Sequence, residues 1–404
     1  MTALSEAARE HVDVLVRTWL GVRPDADVPR LPADLAKRLL RVEEHEHDHR
    51  DQWGNWEFAF CESYREGRLW EPDVDRWVQS QRRELGARAP WPDDRPFAIC
   101  LSHDVDLVAE QVTPRQAFRS MRLSLLGAGG STQERVVRLA RPGVRAARAL
   151  HHGLARAPAA DALERCVEIE RSSGVTATYF FTVYPGGKGH RYDCTYDFGD
   201  SCRFAGARTT VADVVRQLDS EGFEIGLHGS YNSALDGDCL GEEKRELERA
   251  TGLTATSVRQ HFLHWDARTT PMLHARAGFS SDSTLGFNRN VGLRAGTSLP
   301  FRWFDSRHDA SLDLVELPVL AADAPLLRED ALELDVRLAR TTLRELLDRV
   351  ADVNGVATLV FHPNNFDGPD HVELLRSVID YGVERGAWFA SVRDLDAWYR
   401  KRAA

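Results

Sequence analysis

From Phe97 to the C-terminus, short β-branched or aromatic runs alternate with amphipathic helical stretches, and this alternation restricts the fold more than any other feature. The runs are FAICLS (97–102), VTATYFFTV (175–183), FEIGLH (223–228), TSVRQHFL (256–263), GFSSDST (278–284), LDLVELPV (312–319), VATLVFH (356–362) and AWFAS (387–391). Between them lie DALERCVEIERSSG, TTVADVVRQLDSEG and HVELLRSVIDYGVERG, each with apolar residues at helical spacing and a glycine placed to end the helix. Strands separated by helices pair in parallel through right-handed crossovers. The expected fold is therefore α/β, a (β/α) barrel of seven or eight strands with its chemistry at the C-terminal strand ends.

Residues 1–95 read differently. Val12, Leu15, Val16, Trp19 and Leu20 recur at helical spacing, as do Leu35, Leu39 and Leu40, and strand signals are few. APWPDDRPF (89–97) punctuates the end of this stretch, so a small helical region over 1–95 is expected to precede the barrel at 96–404. An insertion at about 111–160 carries Arg115, Arg119, Arg122, Arg135, Arg138, Arg141, Arg145, Arg148 and Arg156 with little acid to balance them. It is expected to be a solvated helical excursion whose arginines pair with the acidic remainder of the chain. The competing use is peripheral contact with anionic lipid or a phosphorylated substrate.

A net charge of −10 argues against general nucleic-acid binding. No run is apolar enough to span a membrane, and the charged N-terminal stretch lacks a signal-peptide pattern. The six cysteines are scattered without a CxxC pair. Cys100 and Cys166 read as buried thiols, and only Cys194 and Cys202 share a segment in which they could bridge. A soluble cytoplasmic protein is the expectation.

The first run ends in SHDVD, which sets Asp104 and Asp106 at the close of an otherwise buried strand. Charge placed there must find partners elsewhere. LHGSYNS (227–233), RQHFLHWD (259–266), SDSTLGF (281–287) and LVFHPNN (359–365) end other runs in the same way. Five polar strand ends converging on one barrel face point to an active site. HEHDH (45–49) fits the H-E-x-x-H zinc signature, but it lies in a run polar on every side and is not expected to form a cleft.

These five ordered motifs resemble the polysaccharide deacetylase family of NodB homology, similar to carbohydrate esterase family 4, over roughly residues 97–395. The resemblance implies a distorted barrel that hydrolyses N-acetyl groups from amino sugars. It also implies Asp104 as catalytic base, Arg259 as its partner, and His362 as the acid that protonates the leaving nitrogen, paired with Asp282. Asp106 and His228 would hold a divalent metal, zinc by family habit. The family's second histidine would fall at Asn232, a poor zinc ligand, which leaves His261 and His264 as replacements. Tyr192 and Tyr196, Trp265, and Arg294 and Trp303 suit the walls of a sugar pocket. The expected substrate is an N-acetylated carbohydrate on a cytoplasmic glycan precursor, a lipid-linked sugar or a natural-product intermediate. Two alternatives stand beside it. One is hydrolysis of another linear C–N amide, with or without metal; the other is a catalytically silent carbohydrate- or lipid-binding protein.

Overall fold

The computed structural model describes residues 4–87, 89–109, 114–126, 159–186 and 189–404. Among the described residues twelve strands form: β1 Ala98–Val105, β2 Thr178–Thr182, β3 Ser201–Phe204, β4 Ala207–Thr210, β5 Glu224–Gly229, β6 Ser257–Gln260, β7 Ser281–Asp282, β8 Phe301–Asp305, β9 Ala310–Glu316, β10 Val319–Ala322, β11 Val356–Phe361 and β12 Trp388–Phe389. The main sheet runs β10-β11-β1-β2-β5-β6-β7-β9-β8, with β12 added to β1. Every pairing in it is parallel except β8 with β9.

The sheet curls until its two sides meet. Past the end of β9, Leu317 N–H donates to Asp282 C=O and Val319 N–H to Leu285 C=O, so the chain stays bonded to the β7 side. Val319 is already paired with Thr358 of β11. One continuous segment, 310–322, thus joins β7 to β11 and closes a distorted barrel of seven strand positions. The antiparallel β8 and the β3–β4 hairpin are additions that the helix–strand alternation did not announce.

Strand β1 shows how the sequence builds this wall. Side chains alternate across a strand, so Ala98, Cys100, Ser102 and Asp104 share one face and Ile99, Leu101, His103 and Val105 the other. Ile99, Leu101 and Val105 pack in the larger core beneath the surrounding helices, while Ala98 and Cys100 belong to a second core with Phe180, Trp265 and Phe301. All eight residues are buried, as expected for a parallel strand covered on both sides.

The N-terminal helices share that second core. The helix Glu6–Leu20 starts at Ser5, whose hydroxyl accepts from Ala8 N–H, and stops at Gly21 in the left-handed conformation. It buries Val12, Leu15, Val16 and Trp19 with Val74 and Val78 of the helix Asp73–Glu84. A buried ion pair ties the region to the barrel loops. Arg294 grips Glu44 with two bonds of 2.8 and 2.7 Å, and Arg41 adds a third at 2.9 Å. Burial pushes the Glu44 carboxyl up, but the two guanidinium groups outweigh it and bring its pKa to about 2.

The helix holding His45 ends at Glu46, so His45 and His49 do not share a helix face. Within the insertion, Pro114–Leu126 is helical and Arg119 pairs with Asp200 at 2.7 Å. The arginines from 135 to 156 lie outside the described residues. All six cysteines are buried free thiols, so the Cys194–Cys202 bridge does not form. Among the described residues no helix is long and apolar enough to cross a membrane.

Candidate active site

The carboxylates of SHDVD find their partners on neighbouring strands. Asp104 closes the inner face of β1, and Arg259 of β6 donates to it from Nη1 at 3.0 Å. The same guanidinium donates to Ser102 Oγ at 2.8 Å and to the carbonyl and hydroxyl of Ser283 at 2.7 Å each. Arg259 is fully buried, so these bonds fix the plane in which Asp104 is held. On the outer face, His103 meets Glu170 at 2.6 Å and stacks on Tyr179. It is fully buried in the core.

Asp106, one step beyond β1, faces two imidazoles. Its Oδ1 lies 3.4 Å from His228 Nε2 and 3.7 Å from His261 Nε2. Burial raises the Asp106 pKa, but the charges of His261, His228 and His362 outweigh it and bring the carboxyl below its ordinary value. The three ligand atoms lie within 4.8 Å of one another.

This donor set fits a divalent metal. Asp106 Oδ1 and His228 Nε2 are buried without a hydrogen-bond partner, an expensive arrangement unless something binds between them. The far nitrogens are both engaged: His228 Nδ1 lies 3.0 Å from the Arg259 carbonyl and His261 Nδ1 3.2 Å from Asp193 Oδ1. Metal-ligating histidines are typically oriented by such outer partners. One carboxylate with two imidazoles suits zinc and related ions.

His362 follows β11, with its Nε2 4.0 Å from Asp104 Oδ2. Its other nitrogen, Nδ1, sits 2.6 Å from Asp323 Oδ1, while Asp323 Oδ2 accepts the His362 backbone N–H at 3.0 Å. Burial alone would lower the His362 pKa, but Asp323, Asp106 and Asp104 together raise it to about 10. Asp104, Asp106, His261 and His362 line one cavity of about 190 Å³, with Phe262 and Arg328 on its walls.

Several expected site residues stand elsewhere. Asp282 does not meet His362. It is fully buried against His274 at 2.9 Å and Thr284, so it braces β7 instead. Asn232 is exposed in the turn Asn232–Ala234, outside the metal-competent trio, and His264 bonds the Tyr231 carbonyl. Trp265 and Trp303 meet edge to face in the core, since each has enough apolar area to be drawn from water. Arg294 is consumed by Glu44. Tyr196 is buried and bridges strand ends, accepting from Thr182 N–H and donating to Val105 C=O, both at 2.9 Å. Of the residues expected to wall the sugar pocket, only Tyr192 is exposed; it packs near the mouth against Trp53 and Phe262.

Two aspartates escaped the sequence reading. Asp323 directly follows β10, where an acidic residue at a strand end was the available signal. Asp193 accepts the backbone N–H groups of His190 and Tyr231 as well as facing His261. Its role depends on loop closure that no local pattern announces.

The turn carrying His261 is unusual. Phe262 has φ 62° and Leu263 φ 50°, and His264 N–H returns to His261 C=O at 3.1 Å. Two successive left-handed residues normally call for Asn, Asp or Gly, and each larger side chain there costs about 1–2 kcal/mol.

No family model and no curated protein matches the chain. Among solved structures, a candidate polysaccharide deacetylase from Mycobacterium smegmatis aligns at 20% identity and TM-score 0.49, covering 77% of this chain and 93% of that one. A probable polysaccharide deacetylase from Pseudomonas aeruginosa PAO1 aligns at 15% identity and TM-score 0.49, covering 78% and 94%. Puue allantoinase aligns at 15% identity and TM-score 0.48, covering 78% and 93%. Likeness at this level assigns no chemistry.

Proposed function

We propose that the protein is a metal-dependent amide hydrolase that removes the acetyl group from an N-acetylated amino sugar or glycoside. The observation that carries this reading is the placement of Asp104 Oδ2 between two imidazoles, 3.9 Å from His228 Nε2 and 4.0 Å from His362 Nε2, with Asp104 and His362 lining the same cavity.

Asp106, His228 and His261 would hold the ion, zinc by the donor set, which when bound polarises an amide carbonyl and acidifies water. Asp104 uses Oδ1 on Arg259 and leaves Oδ2 free to take the proton of the attacking water. His362 keeps Nδ1–H on Asp323 and points Nε2–H towards the cavity, so it donates to the amide nitrogen as the C–N bond breaks. With its pKa raised to about 10, it carries that proton at neutral pH. The products are acetate and a free amine.

Six buried free thiols fit a reducing compartment, which favours an intracellular glycan precursor, lipid-linked sugar or natural-product intermediate as substrate. The test is acetate release from a panel of N-acetylated sugars, with chelator and then zinc or cobalt added. Turnover lost to chelator and restored by metal supports the reading. Chelator-insensitive hydrolysis of a non-sugar amide, or glycan binding without acetate release, contradicts it.

A further inference from the structure

The turn that presents His261 is clamped by a residue from the N-terminal region. Asn55 Nδ2 donates to the Phe262 carbonyl at 2.9 Å, and Asn55 Oδ1 accepts the Trp265 backbone N–H at 3.2 Å. One buried side chain therefore grips the two strained residues from either side. Asn55 is itself set by Asp51, whose Oδ1 accepts the N–H groups of Trp53 and Asn55 at 2.8 and 2.9 Å. Trp53 then stacks on Phe262 with ring centres 5.0 Å apart, and the Tyr231 hydroxyl donates to the Trp53 carbonyl.

We propose that Asn55 is a positioning residue for the metal centre: it holds the Phe262–Leu263 turn in its left-handed form and so keeps His261 Nε2 aimed at Asp106. The inference rests on the metal-centre reading above. It gives the segment 51–56 a specific task, since nothing within 256–266 supplies the donor and acceptor that Asn55 brings. Without them the two bulky residues relax towards ordinary backbone angles, and the imidazole moves away from the carboxylate.

The probe is cobalt(II), titrated into the full-length metal-free protein and followed by its visible absorption, which reports ligand number directly. The wild-type chain is titrated first; failure to bind cobalt there overturns the metal-centre reading itself. Given wild-type binding, Asn55→Ala weakens cobalt affinity at least tenfold and alters the spectrum. In the double variant Asn55→Ala/Phe262→Gly, glycine accepts the left-handed angles without a clamp, and affinity returns to within about threefold of Phe262→Gly alone. Should Asn55→Ala not fold, Asn55→Ser, too short to reach both groups, carries the same comparison. Affinity and spectrum unchanged in the Asn55 variant, or a double variant as weak as the single one, overturns the proposal.

Discussion

Asp323 Oδ1 lies 2.6 Å from His362 Nδ1, on the side of the ring away from the cavity, while His362 Nε2 faces Asp104 Oδ2 at 4.0 Å. The imidazole is thus held by one aspartate and directed towards another; in the proposed reaction the first would tune the acid and the second would serve as base.

The first prediction follows from that separation. Asp323→Asn keeps the ring near its place but removes the charge that raises its pKa, so His362 loses its proton at lower pH. The alkaline limb of the pH–kcat profile moves towards acid, and kcat at pH 8 falls by up to about tenfold. A profile that superimposes on wild type contradicts the assignment.

His261→Ala and Asn232→Ala separate the proposed ligand set from the one the family resemblance implied. His261→Ala removes one of the three ligands facing the metal site and weakens zinc binding about a hundredfold or more. Asn232 is exposed on its turn, and its replacement leaves zinc affinity within about twofold. Calorimetric titration of both variants decides between them.

Trp265 is a stability residue. Replacing it by alanine costs about 3–5 kcal/mol in urea unfolding through the cavity it leaves beside Trp303 and Arg294. The milder Trp265→Phe keeps KM close to wild type.

His11 makes the protein sensitive to acid. Its ring is buried between Ser311 Oγ at 2.6 Å and the Arg302 carbonyl at 2.9 Å. Burial, chiefly, lowers its pKa to about 4. Between pH 6.5 and 4 the unfolded chain binds a proton that the folded chain excludes, so stability is complete above pH 6.5 and falls by about 3 kcal/mol towards pH 4. His11→Gln flattens that part of the stability curve measured by denaturant unfolding.

The barrel was legible because each strand run carries its own period and each helix its own stop. Asp104, Arg259 and His362 stood out in the sequence because polar residues close their strand runs, and the resemblance implied their roles. Partners across the site were not. Asp282 and Asp323 both end strands beside the barrel mouth, and only the curl that brings β10 against β11 selects Asp323 for His362. The resemblance places the second metal histidine one helical turn after His228, but Asn232 turns outward there. The imidazole comes instead from a left-handed turn after β6, a conformation that Phe262 and Leu263 do not advertise. Apart from Tyr192, the aromatic and arginine residues expected to line sugar were drawn into the core or into ion pairs, because composition does not say which face of a loop is covered.

The most direct measurement is acetate release by wild-type and Asp104→Asn protein, with bound metal quantified in the same samples. Metal content equal to wild type with turnover reduced at least a thousandfold is the predicted result, since the base is lost and the ligand trio is untouched. Turnover near wild type in the Asp104→Asn protein contradicts the account.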